Sequence, residues 1–288
     1  MSITNLQRAE TIVHALPYIQ KYNNKIVVIK YGGNAMINEE LKQAVMNDIV
    51  LLSLIGVKVV LVHGGGPDIN SMLSKMGKKS EFIDGLRVTD AETIDTVLMV
   101  LAGKVNKSLV NLIECTGGKS VGLCGIDGHL IEAEMLDEKL GYVGKITNIN
   151  IAPVMDLLDK GYIPIVSTLG CDNEGHVYNI NADTAAARIA GEMKAESLIS
   201  MTDICGILLD KEDPSTLITN INTEKAHQLM ADGVIQGGMI PKVECCLDAI
   251  ELGVNRVFIL DGTKPHAILM EMLTDEGVGT MFVREEKK

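Results

Sequence analysis

Tryptophan is absent from the chain, and three phenylalanines and six tyrosines make up an aromatic share of only 3%. So small a supply disfavours base-stacking platforms and aromatic sugar sites. Positive charge is also scarce. Lysine and arginine total 26 against 38 aspartates and glutamates, a net charge of −12 that argues against binding a nucleic-acid backbone. The longest uncharged stretch, Gly161 to Cys171, is eleven residues, well short of the roughly 18 that a bilayer-spanning helix needs. The first residues lack the basic-then-apolar pattern of an export signal. Six cysteines occur with no C-x-x-C spacing, and the adjacent Cys245 and Cys246 suit neither a disulfide staple nor a zinc site. Reduced thiols and a cytoplasmic location are the expectation. Two nucleotide motifs are missing as well. Gly118-Lys119-Ser120 ends like a Walker A loop, but Ile113 stands where its first glycine belongs, and there is no G-x-G-x-x-G.

What remains is 288 residues that are 47% apolar, enough for a large core in one or two domains. Short β-branched runs alternate with helical patterns. Residues 26–29, 57–62, 162–166, 197–201 and 256–260 read as buried strands; 41–55, a segment from Pro67, 182–190, 224–232 and 241–252 read as helices. Near-continuous apolar strands alternating with helices predict an α/β fold with a mainly parallel sheet covered on both faces. Residues 128–149 and 170–181 read as hairpin insertions. Asp90 to Glu114 is a long helical pattern, either ordinary core or a dimer interface. Before the first strand, Thr4 and Gln7 form a capping-box pattern, and Leu6, Ala9, Val13 and Leu16 make an apolar stripe. That helix is either a strap on its own subunit or an arm for another.

Three glycine clusters lie where a strand closes or a helix opens: Lys30-Tyr-Gly-Gly-Asn34, His63-Gly-Gly-Gly-Pro67 and Gly237-Gly-Met-Ile-Pro-Lys242. Glycine there lets backbone N–H groups approach an anion, so three clusters, two with a lysine, point to a polyphosphate site. Lys30 ends the first strand, at the sheet edge where open α/β folds bind ligands. Lys242 sits in the first turn of a helix, where a cation opposes the dipole unless an anion faces it. In Asn179-Ile-Asn-Ala-Asp183, alternation predicts Asn179, Asn181 and Asp183 on one side of an extended segment, with Asp183 placed to hold two ammonium groups; the competing reading makes Asn181 or Asp183 a helix cap. Arg87 suits a bidentate carboxylate. His63 reads as structural, since phosphoryl transfer to an already ionised carboxylate needs no base.

At these residues, and over Ile26 to Phe282, the sequence resembles the amino acid kinase family. Further matching motifs are Asp84-Gly-Leu-Arg-Val-Thr-Asp90, Thr202-Asp-Ile-Cys-Gly-Ile-Leu208 and Thr274-Asp-Glu-Gly-Val-Gly-Thr280. The Gly-Leu-Arg-Val-Thr and Asn-x-Asn-Ala-Asp pair resembles most specifically the branch that phosphorylates N-acetyl-L-glutamate in arginine biosynthesis. The resemblance implies a three-layer sandwich with two lobes: an N-terminal helix over 1–23, an acceptor-binding and dimerising lobe over 24–180, and an ATP-binding lobe over 181–288. It implies that Lys30 and Lys242 stabilise the transferring phosphoryl group and that Asp183 organises them. Gly65, Gly66, Arg87 and Asn179 would hold the acceptor. Gly32, Gly33, Thr202, Asp203, Gly206, Gly237, Gly238 and Met239 would line the nucleotide site, with Mg²⁺ carried by ATP rather than by protein ligands. It also implies that the N-terminal helix links dimers into a hexamer inhibited by L-arginine, at a site near the C-terminal lobe that includes Glu271. The alternatives are another carboxylate or carbamate kinase of the family and a non-catalytic arginine or nucleotide sensor.

Overall fold

The buried runs of the sequence become the inner strands of one sheet in a computed structural model that describes residues 4–284. The strands are β1 (Ile26–Tyr31), β2 (Lys58–His63), β3 (Phe82–Ile83), β4 (Leu86–Arg87), β5 (Ser120–Cys124), β6 (Ile131–Met135), β7 (Gly144–Ile149), β8 (Ile163–Ser167), β9 (Leu169–Cys171), β10 (Val177–Asn179), β11 (Ser197–Thr202), β12 (Asn220–Asn222), β13 (Arg256–Asp261) and β14 (Thr280–Val283). The main sheet has the order β12-β14-β13-β11-β1-β2-β8-β5. Its six strands from β13 to β5 are parallel, and β14 pairs antiparallel with β13 while lying parallel to β12. The insertions over 128–149 and 170–181 form a four-stranded side sheet, β10-β9-β6-β7, as their turn-rich pattern predicts. The short strands β5, β12 and β14 carry too little periodicity to be read from sequence.

The helices are α1 (Asn5–His14), α2 (Leu16–Tyr22), α3 (Glu39–Leu54), α4 (Gly66–Lys75), α5 (Ala91–Leu98), α6 (Asn106–Cys115), α7 (Ala152–Asp159), α8 (Ala182–Glu192), α9 (Thr223–Ala231), α10 (Met239–Glu251) and α11 (Ala267–Leu273). Side-chain caps set several starts: Asn38 accepts from Leu41, Asp90 from Thr93 and Asn222 from Lys225. Alternation along the strands sorts the core into two layers. Val28, Val60, Val62 and Leu198 face α8 and α10, whereas Val27, Ile29, Leu61 and Phe258 face α3, α6 and α11. Lys30 shares the parity of Val28, so it faces the α8 layer.

Two local features depart from the sequence reading. The N-terminal segment is two helices, because the chain breaks at Ala15 ahead of Pro17; the Thr4–Gln7 capping box is formed as predicted. The long pattern from Asp90 is helical, but Met99–Val105 is a π segment between α5 and α6. By length and composition the stretch Ala91–Cys115 is long enough to cross a bilayer. It nevertheless buries Val97, Leu101, Leu109 and Ile113 in the protein core and carries Lys104 and Lys107, which is the pattern of a core helix.

Candidate active site

The chain turns from one half of the main sheet to the other between β1 and β11. Ligands of open α/β sheets bind outside the carboxyl ends of the strands at such a switch point. Lys30 lies one residue from the end of β1, in register with Val62 on one side and Ser200 on the other. Its Nζ is 2.8 Å from Asp183 Oδ1 and donates to the Met201 carbonyl at 3.1 Å. Lys242, in the first turn of α10, reaches the other carboxylate oxygen, Oδ2, at 3.1 Å. One aspartate therefore bridges two ammonium groups. Burial pushes the Asp183 carboxyl up, but Lys30 and Lys242 outweigh it and hold the group at about 2. Ser200 adds a hydroxyl that donates to Oδ1 at 3.3 Å.

Asp183 reaches this place by a route that strand alternation misses. The extended segment stops at Asn179, and α8 starts at Ala182. Asn181 is the cap, accepting from the backbones of Asp183 and Thr184 at 2.9 and 3.1 Å. Asp183 is thus in the first turn of the helix, with its carboxylate on the two lysines and not in the cap. Both sequence readings of the motif hold, each for a different residue.

Beside the triad, a small cavity of about 170 Å³ is lined by Gly64, Gly65, Gly66, Arg87, Asn179 and Thr168 among others. Its glycines run into the N-terminus of α4, where amides lack helical partners. A Cβ on Gly65 would lie 2.6 Å from Leu101 in the π segment, whereas one on Gly66 would meet nothing within 4 Å. Gly65 is therefore required by packing and Gly66 opens toward the cavity. Arg87 is only 7% exposed, and among the described residues no carboxylate pairs with it. Burial lowers its affinity for a proton, so a ligand carboxylate would relieve a desolvated charge. Asn179 donates to Thr89 Oγ1 at 3.3 Å.

On the other side of the triad a cleft of about 750 Å³ is lined by Lys30, Gly33, Thr202, Asp203, Gly206, Gly238, Met239 and Lys242, together with aliphatic residues such as Ile204, Ile207 and Ile235. Gly33 has φ +71°, and a Cβ there would sit 2.9 Å from Asp203. Gly206, at φ +137°, packs on Thr280, whose hydroxyl accepts from the Ile207 amide at 2.8 Å. Gly32 lies beside Lys30, where a Cβ would be 3.8 Å from Nζ. Gly237 and Gly238 line a third hollow, which joins the hairpin at Asp84–Leu86 to Asp183 and Lys242. The sequence reading missed Lys211, Gln236 and Asp261 in the larger cleft and Phe82 and Leu101 in the smaller one. Lys211 follows the Thr202–Leu208 motif closely and was within reach of inspection; the others depend on chain packing.

His63 is fully buried. Its Nδ1 faces the Gly64 carbonyl at 2.8 Å and its Nε2 faces the Asn106 amide at 3.1 Å. Burial pushes the imidazole down to about 4, so it is neutral at physiological pH and structural, as expected.

The model of the amino acid kinase family matches residues 25–261. The chain is 56% identical over 286 residues to the acetylglutamate kinase of Brachyspira hyodysenteriae, covering 99% of each. It is 51% identical to that of Clostridium beijerinckii, covering 97% of this chain and 99% of the relative. Among solved structures it is similar to an N-acetylglutamate synthase from Neisseria gonorrhoeae complexed with coenzyme A and N-acetyl-glutamate, with a TM-score of 0.84 and 26% identity. That match covers 96% of this chain and 64% of the synthase, under two thirds of its length. With a family match across most of its length and half-identical relatives end to end, the chain belongs to the amino acid kinase family.

Proposed function

We propose that the chain transfers the γ-phosphoryl group of ATP to the γ-carboxylate of N-acetyl-L-glutamate, giving N-acetyl-L-glutamyl 5-phosphate and ADP for arginine biosynthesis. The observation that carries this reading is Asp183 held between Lys30 and Lys242, with both lysines lining the larger cleft and the neighbouring Asn181 and Ala182 lining the smaller one. The small cleft offers Arg87, which no carboxylate pairs among the described residues, with Asn179 and the amides of Gly65 and Gly66, a set suited to a compact dicarboxylate. The larger one has the size and aliphatic walls for a nucleotide. On this reading residues 24–180 bind the acceptor and 181–288 bind ATP. A carboxylate oxygen forms the new bond to phosphorus as the bond to the ADP oxygen breaks, and no proton moves. Lys30 and Lys242 neutralise charge on the equatorial oxygens, so catalysis is positioning plus electrostatics. Mg²⁺ would arrive on ATP, and Asp203 and Asp261, which line the nucleotide cleft, would offer it hard oxygen donors there. Such a metal would offset part of the phosphate charge. The acyl phosphate product is prone to hydrolysis, so closure over the site is expected. Six free thiols suit a reducing cytoplasm.

The N-terminal helix is read here as an arm for a second copy. α1 buries no residue, and Leu6, Ile12 and Val13 are 65–68% exposed. α2, by contrast, is anchored to its own chain by buried Tyr22 and by the Tyr18 hydroxyl, which donates to Asp275. A strap would bury its stripe. An arm joining dimers into a hexamer, with L-arginine inhibiting from the junction of α2 and α11, accounts for the exposure. Glu271 lies on α11 but already accepts from the Val278 amide at 2.8 Å. Light scattering on the full chain should give a hexamer, and removal of residues 1–20 should reduce it to a dimer. A truncated chain that remains hexameric overturns the arm.

The activity test is ATP turnover with N-acetyl-L-glutamate, trapping the acyl phosphate with hydroxylamine, with and without L-arginine. Hydroxamate that falls with arginine supports both readings. Hydroxamate indifferent to arginine keeps the reaction and overturns the inhibition. No hydroxamate from a folded chain that binds ATP overturns the acceptor assignment in favour of another carboxylate or a sensor.

A further inference from the structure

Three groups hold Arg87 in place, and none is a carboxylate. Nη1 donates to Ser80 Oγ at 2.6 Å, Nη2 donates to the Gly66 carbonyl at 3.4 Å, and the guanidinium lies 4.8 Å from the centroid of the Phe82 ring. The proton of Ser80 is committed elsewhere: its hydroxyl donates to Asn70 Oδ1 at 2.7 Å, which turns its lone pairs toward Arg87. Phe82 pairs directly with Arg87 across the β3–β4 ribbon, whose turn takes Asp84 and Gly85 to φ +49° and +80°. The ring is 52% exposed and belongs to neither core layer, yet it lines the small cleft. Core packing does not account for a large aromatic side chain here, in a protein with only three phenylalanines.

We infer that Phe82 and Ser80 are positioning residues for the acceptor, acting through Arg87 on its α-carboxylate. This rests on the proposed reading of the small cleft. The ring covers one face of the guanidinium with a negative quadrupole and keeps water off it. Ser80, oriented by Asn70, fixes one nitrogen in the plane. The guanidinium is thereby set before the acceptor arrives, and its remaining N–H groups are left for a charge-assisted bond. Because the α-carboxylate does not react, this interaction is the same in the ground and transition states. It sets KM and leaves kcat alone.

The test compares two acceptors on the full-length enzyme: N-acetyl-L-glutamate and 4-acetamidobutyrate, which keeps the γ-carboxylate and lacks the α-carboxylate. Phe82→Ala and Ser80→Ala should each raise KM for acetylglutamate about tenfold, with kcat and the KM for ATP within about twofold. Ser80→Ala should leave kcat/KM for 4-acetamidobutyrate unchanged, and Phe82→Ala, which also removes part of the cleft wall, should lower it several-fold less than it lowers kcat/KM for acetylglutamate; where turnover is too slow to follow, the inhibition constant reads the same difference. Phe82→Tyr, which restores an aromatic face, should return KM to near the wild-type value. Equal losses on both acceptors would show a merely structural ring and overturn the inference, as would no change on either. A wild-type enzyme that turns over 4-acetamidobutyrate as well as acetylglutamate overturns it too. A wild-type chain that accepts neither overturns the reading of the cleft, and the inference with it.

Discussion

Replacing Lys30 or Lys242 by alanine should lower kcat by about 10²–10³-fold while the KM for ATP moves only a few-fold. The asymmetry follows from where charge develops. In phosphoryl transfer the transition state spreads negative charge over three equatorial oxygens between an entering and a leaving oxygen, and a fixed ammonium is worth most at that moment. Lys30 is 6% exposed, so its field is weakly screened. Lys242 is more open but comes to the same point from the opposite element, α10 rather than β1. On the proposed reading ATP affinity depends instead on the aliphatic walls of the larger cleft, which neither substitution removes. The two variants should differ in stability. Lys30→Ala removes a buried cation that also bonds the Met201 carbonyl, so its Tm should fall further than that of Lys242→Ala. Steady-state kinetics with a thermal melt on each variant settles the matter. Loss confined to the KM for ATP, with kcat intact, would make the lysines binding groups rather than transition-state stabilisers.

The cations were legible in the sequence because each sits at a position that costs something without a ligand: a lysine at a strand's carboxyl end in the core, and one in the first turn of a helix. The glycine clusters were legible from their place at strand and helix ends, and in two of the three a glycine, Gly33 or Gly237, takes positive φ. Strand and helix order could be read wherever apolar periodicity ran long enough, as in β1, β2 and β11. Three things were not legible. The choice of cap for α8 was open between Asn181 and Asp183, and only the fold gives Asn181 that role and leaves the Asp183 carboxylate for the lysines. The π segment over Met99–Val105 brings Leu101 against Gly65, a contact 36 positions apart that no local pattern encodes. Ser200 reaches Asp183 only because β11 pairs in register with β1, and register is a property of the sheet.

Asp183→Asn should be the most informative single substitution. The amide keeps the shape and removes the charge, leaving Lys30 and Lys242 facing each other with no carboxylate between them. Turnover should fall by about 10²-fold, because mutual repulsion displaces both ammonium groups from the line of transfer. Stability should fall as well, in a way that depends on pH. The Asp183 carboxyl has its folded-state value depressed from 3.8 to about 2. A depressed carboxyl contributes stability that is fully present above the unfolded value and is lost as pH falls through the folded one. The contribution is about 2 kcal/mol at neutral pH. Wild type should therefore exceed the variant by a constant margin from pH 7 down to about 4, and the margin should narrow from there to about pH 2, where the unfolded chain's carboxyl is protonated and the folded one is not yet. Urea denaturation of both proteins at pH 7, 5 and 3 measures it. A margin that is unchanged at pH 3, or that widens, would mean that the aspartate is not the charge that holds the two lysines together.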